Sequence, residues 1–274
     1  MLVTLMFSTG LQCDRGRLVA ALKNYWLLGR ALAANFVVVP ALALVVVRLF
    51  QVQGPIAVGV LLMAIAPGAP FLTRSAGSKP GGSTGFAIAL AFIMPALSIV
   101  TIPFTANLVL PPGAQAHLPW VPFVVKLVAL QLLPLIVGML VASRIPAIAT
   151  KLNRPLGLVM VAAILVVLWY LGPVLLKAFL SVHGSHNIWA MLGIVILSIV
   201  TGWLFGGAQR EYRRTLSIAT GIRNFGAGAL IATSSFPDKL VAATVMTYFI
   251  VQFIVSTGVR LYFQRTATAD SLPR

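Results

Sequence analysis

Long apolar runs separated by short polar joints occupy most of the chain. About 20 consecutive apolar residues cross the hydrocarbon core of a bilayer, so each run reads as a candidate membrane helix. Full spans are predicted at Tyr25–Phe50, Pro55–Leu72, Thr84–Leu110, Val121–Ala142, Pro155–Lys177, Asn187–Gly206, Arg214–Ser235 and Lys239–Phe263. Met1–Gln12 is apolar but too short to cross. It has no basic n-region of a cleavable signal, and it reads as a half-span or the remnant of a truncated or alternative start. The pattern predicts an all-α integral membrane bundle of about nine helices.

Two spans break the pattern. Pro55–Leu72 runs into Ala66-Pro67-Gly68-Ala69-Pro70, and two prolines with a glycine should end the helix near Ala66. About 12 residues precede that point, or ~18 Å at the helical rise, which leaves the break inside the membrane. Arg214–Ser235 carries Thr220-Gly221-Ile222-Arg223-Asn224-Phe225-Gly226 in mid-span. Irregular backbone at that depth persists only where protein or a water-filled cavity satisfies it. Each break lies between two whole spans, and the resulting triplets, 25–110 and 187–263, match in register: Pro67 and Gly221 are 154 residues apart. Five crossings separate corresponding members, so the triplets run in opposite senses. Inverted repeats with interrupted helices at matching positions mark secondary transporters.

Composition narrows the solvent. The chain is 59% hydrophobic and 9% charged, with a mean hydropathy of +1.00. A soluble domain carries roughly a quarter charged residues, so this surface suits lipid. A net charge of +16 would suggest nucleic acid in a soluble protein. Here the basic residues are scattered between the apolar runs, and nucleic-acid binding is rejected. Counted over alternate loops, fifteen Lys and Arg fall on one side and four on the other, with Arg223 left within the membrane. The positive-inside rule then predicts a multi-pass protein of the plasma or inner membrane with a cytoplasmic C-terminus.

Met6-Phe7-Ser8-Thr9-Gly10-Leu11, Pro40, Pro67-Gly68, Leu133-Pro134-Leu135-Ile136-Val137-Gly138 and Thr220-Gly221-Ile222-Arg223-Asn224 follow one another in an order seen elsewhere. In these pieces the chain resembles the bile acid:sodium symporter family, prokaryotic branch, as a divergent member with an incomplete N-terminus. The resemblance implies a core domain made of the two triplets and a panel domain of helices 1–12 and 121–177. It implies that the interrupted helices cross near the midplane, with the substrate site in the crevice between domains. It further implies inward movement of a small organic anion, a bile acid or another carboxylate, driven by sodium.

The chain departs from the family where sodium would bind. A Ser-Asn pair of the family aligns with Leu72-Thr73, followed here by Arg74; a family glutamate aligns with Ala219, and a glutamine with Arg223. The four acids, Asp14, Glu211, Asp238 and Asp270, all fall in loops or the tail. Sodium prefers hard oxygen ligands, so the family's sodium sites are expected to be degraded and sodium dependence is not expected. Candidate substrate or ion contacts are Arg223, Asn224, Thr220, Gly221, Thr73 and Arg74, with Pro67, Gly68, Pro70 and Gly226 as the helix breaks. Arg223 is expected to bind an anion or to cap carbonyls freed by the break, and Asn35 and Gln131 are read as interhelical hydrogen bonds. No cofactor and no metal site is expected. His117, His183 and His186 lie in loops without a third ligand, so an enzyme is not expected. The alternatives are a non-coupled channel or facilitator, or an inactive truncated homologue.

Overall fold

The computed structural model describes residues 2–13, 15–68, 82–115, 120–152, 155–159, 162, 165, 166, 169 and 186–270. All regular structure among them is helical. Five helices are long and apolar enough to cross a membrane: Tyr25–Leu49 (α3), Thr84–Val109 (α5), Val121–Arg144 (α6), Asn187–Phe205 (α7) and Lys239–Asp270 (α10). Two shorter apolar helices, Leu2–Leu11 (α1) and Gly54–Ala64 (α4), accompany them. The predicted Arg214–Ser235 span is two helices, Arg210–Gly221 (α8) and Phe225–Ser235 (α9). The predicted crossing at 155–177 lies largely outside the described residues.

Helices also form between the predicted spans: Arg15–Lys23 is a helix (α2) whose Val19 and Leu22 are exposed, next to exposed Tyr25 and Trp26.

The chain is apolar on the outside, and its membrane-depth polar side chains are turned inward among a largely apolar core. Val100, Phe104, Trp189 and Ile254 are each at least 64% exposed, whereas Asn35, Ser98, Gln131 and Asn224 are fully buried. A lipid exterior favours this placement, because a polar group facing hydrocarbon needs an internal partner.

Glycines let the helices approach at backbone distance. A Cβ on Gly10 would collide with the carbonyl of Leu135, and one on Gly138 with the carbonyl of Phe7, so α1 and α6 cross with no side chain between them. A Cβ on Gly59 would lie 2.6 Å from Thr244 Cβ, which puts α4 directly on α10. The other broken helix, α8, packs on α5 through Leu216, Ala219, Phe86 and Leu90, with Phe86 edge-on to Tyr212 at 5.5 Å. Each interrupted helix therefore lies against a long continuous one.

α3 and α6 both contain a π-helical turn, at Ala34–Val38 and Val128–Leu132. In both, a proline follows two residues later, Pro40 and Pro134. A proline has no N–H to donate, and its ring clashes with the carbonyl four residues back. Widening the preceding turn relieves that clash and leaves unused carbonyls near the bend. Each π turn also carries one buried amide, Asn35 and Gln131.

Candidate functional site

The first break is made by steric punctuation. α4 stops at Ala64, and Ile65 and Ala66 close its last turn with bonds back to the Leu61 and Met63 carbonyls before Pro67. Gly68 has φ +114°, a region L side chains rarely adopt, and a Cβ there would lie 2.9 Å from Pro95 Cγ of α5. Only glycine fits both constraints.

The second break is held by partners. After Gly221 the chain runs through Ile222 and Arg223 to Asn224, whose Oδ1 caps α9 by accepting from Ala227 N at 3.1 Å. Arg223 lies outside the helical ladder: its carbonyl accepts from Phe225 N at 2.9 Å, and Gln252 of α10 bonds to both its N–H and its C=O. Its Oε1 accepts from Arg223 N at 2.9 Å, and its Nε2 donates to Arg223 O at 3.2 Å. A side-chain amide thus does here what the next helical turn does elsewhere.

The two breaks touch. Asn224 N donates to the carbonyl of Ala66 at 2.9 Å, so the unwound backbone of one interrupted helix completes that of the other. Asn224 Nδ2 donates to Gln131 Oε1 at 2.8 Å, and Gln131 Nε2 donates to the Pro95 carbonyl and, at 2.9 Å, to Ser98 Oγ. α6 and α5 are thereby bonded to the crossing point.

Arg223 sits at the centre, 1% exposed. Its Nη1 donates to the Asn35 carbonyl at 3.3 Å, while Nε and Nη2 have no partner among the described residues. Asn35 Nδ2 reaches Thr220 Oγ1 at 3.2 Å and the Ala31 carbonyl at 2.9 Å. The Tyr248 hydroxyl of α10 is also buried, with no partner among the described residues. The described acids are remote: Glu211 opens α8, Asp238 precedes α10 and Asp270 ends it.

Beside the break, a cleft of about 120 Å³ opens between α8 and α10. Ile218, Ile222, Phe249 and Phe253 wall it, and Gln252 and Ser256 line one side. Tyr248, Gln252, Ser256 and Arg260 recur every fourth residue, so they form one polar seam along α10.

Of the predicted site residues, the fold gathers Thr220, Gly221, Arg223 and Asn224 with Pro67 and Gly68. Gly226 serves a different purpose: a Cβ there would lie 2.6 Å from Leu2 Cδ1, so it admits α1 to the crossing. Thr73, Arg74 and Pro70 lie outside the described residues. Asn35 and Gln131 are interhelical hydrogen bonds, as the sequence suggested, and both end at the second break. Gln252 and Tyr248 were missed. The signal that could have found them is the four-residue spacing of polar positions in an otherwise apolar span. Among the described residues, no three of His, Cys, Asp and Glu come together to hold a metal ion.

Residues 1–178 match the model of the Sodium Bile acid symporter family. No curated protein matches the chain. The matched segment takes in the first break, and the second, with Arg223, lies beyond it.

Proposed function

The chain belongs to the sodium bile acid symporter family, and on that premise we propose that it is a secondary transporter moving a small organic anion across the plasma or inner membrane without sodium. The two triplets act as a core that rocks against a panel containing α1 and α6, and the C-terminus is cytoplasmic. The substrate reaches the crossing of the interrupted helices, where the cleft beside α10 offers apolar walls to its body and a polar seam to its charge.

One observation carries the reading. A buried arginine, with two nitrogens that have no partner among the described residues, stands where two interrupted helices meet, and the described acids all lie at helix ends. An unpaired charge at membrane depth costs ~2.5–3.5 kcal/mol on insertion scales, so it persists where a ligand or a function compensates. A built-in cation at this point does electrostatically what a bound sodium would do, and it repels the ion itself. Transport is then facilitated, or coupled to another gradient.

Reconstituted vesicles test this. Uptake of labelled taurocholate and of labelled pyruvate is measured with sodium and again with choline as the external cation. At least one anion should enter, at rates within about twofold in the two media. Steep sodium dependence removes the proposed mechanism, and failure to move any organic anion removes the substrate class.

A further inference from the structure

We infer that the substrate's carboxylate is held by the Nε–Nη2 edge of Arg223, and that Pro40 is the residue that leaves this edge free and correctly aimed. The inference rests on the reading that an organic anion binds at Arg223, and it names the group recognised and the manner of holding it.

A guanidinium is planar and presents its donors in a rigid fork. In Arg223 one nitrogen, Nη1, is occupied by the Asn35 carbonyl at 3.3 Å. The two that remain, Nε and Nη2, lie on the same side of the group, with N–H bonds that run nearly parallel. That edge matches the two oxygens of a carboxylate. Both nitrogens are buried and have no partner among the described residues. A singly charged, planar anion supplies two acceptors and one negative charge, which are the two things the site lacks. A bound cation supplies neither, and a neutral amide supplies no charge.

The Asn35 carbonyl is available for a reason legible in the backbone. Within the π turn the N–H of Val39 bonds to the carbonyl of Ala34, five residues back. Continued by one residue, that register would bring the Asn35 carbonyl a donor from residue 40, but Pro40 has no N–H. The carbonyl is left without that donor, and Arg223 Nη1 takes its place. The Asn35 side chain bonds to Thr220 and Ala31, which fixes the carbonyl relative to the end of α8. Gln252 fixes the backbone of Arg223 from the opposite side. The arginine is held at both ends, so the open edge is oriented before any ligand arrives, and the cost of ordering it on binding is small.

The test uses the purified full chain in detergent, titrated calorimetrically with benzoate and with butanoate, and four variants. Wild type should bind at least one probe. Arg223→Lys keeps the charge and loses the fork, and should bind tenfold more weakly or worse; Arg223→Gln should show no binding. Pro40→Ala restores an N–H that competes for the Asn35 carbonyl, and should weaken binding about three- to tenfold while leaving the melting temperature of the unliganded protein within about 3 °C. In the Arg223→Lys background, adding Pro40→Ala should change affinity less than twofold, which a merely structural role for the proline would not produce. Arg223→Lys binding within twofold of wild type would show that charge suffices; it overturns the fork and leaves the anion reading standing. Wild-type affinity in Arg223→Gln overturns both, as does a wild-type protein that binds neither probe. Unchanged affinity in Pro40→Ala overturns the role of the proline, and if that variant does not fold, the two Arg223 variants still decide the fork.

Discussion

The two broken helices solve one problem by different means. Both must leave the helical path within the membrane without stranding backbone groups. At the first break the solution is local: Pro67 keeps the preceding residue from the helical conformation, and Gly68 takes a φ open to glycine alone. At the second the solution is distributed, since Gln252 from α10, Asn35 from α3 and Gln131 from α6 each donate or accept at Arg223, Thr220 or Asn224. A locally made break needs little from the rest of the molecule. A break held by three other helices responds to their positions, and it is the one that carries the charge. Among the described residues, the backbone bond from Asn224 N to the Ala66 carbonyl joins them. The comparison predicts that substitutions around the second break disturb several helices at once, whereas those at the first stay local.

The largest effect is expected from Gln252→Leu. It strands the N–H of Arg223, a buried backbone group costing ~1–3 kcal/mol when unpaired, and removes one of two bonds to its carbonyl, which keeps Phe225 N. The detergent-solubilised variant should melt well below wild type or fail to accumulate. A melting temperature unchanged from wild type would mean that the break holds itself, and the contrast between the two would collapse.

Asn224→Ala comes next. It removes the cap of α9, worth ~0.5–2 kcal/mol, and leaves Gln131 Oε1 without its donor. Interhelical hydrogen bonds in membranes average only ~0.6 kcal/mol, so the cap should account for most of the loss. Gln131→Leu, which spares the cap, separates the two contributions: its melting temperature should fall less than that of Asn224→Ala.

Gly68→Ala probes the local break. The new Cβ meets Pro95 Cγ at 2.9 Å in a conformation L residues avoid. Strain of this kind costs ~1–3 kcal/mol, measured as a lowered melting temperature. Because the first break holds no side-chain hydrogen bond to α3, α6 or α10 among the described residues, any benzoate affinity measured for wild type should survive in the variant.

The same contrast explains what could be read from the chain before its fold. Helix ends were legible where apolar runs stop: Tyr25–Phe50 became Tyr25–Leu49, and Thr84–Leu110 became Thr84–Val109. The first break was legible because proline and glycine act on their own neighbours. The second was recognisable as irregular from Gly221, Arg223 and Asn224, but its partners lie 29, 93 and 188 residues away in sequence. A lone glutamine in an apolar span says that it has a partner and not which one. The π turns were invisible for a related reason, since their only local mark is a proline two residues on, which ordinary kinks share.

Pro67→Ala should have the smallest effect, and for that reason it sharpens the comparison most. α4 has already ended at Ala64, so the proline does not stop the helix unaided. Its ring restrains Ala66, whose carbonyl then faces Asn224 N. With alanine in its place the chain gains one N–H, able to compete for a carbonyl at the end of α4. Gly68 and the bond from Asn224 still oppose any extension of the helix. A change within ~1 kcal/mol is expected, of either sign, because the substitution also loosens the unfolded chain. It is read from thermal melts of the two proteins side by side. A large loss would show that the first break depends on proline sterics alone. A negligible one would show that Gly68, whose φ of +114° is closed to helix, makes the local break with little help from the proline.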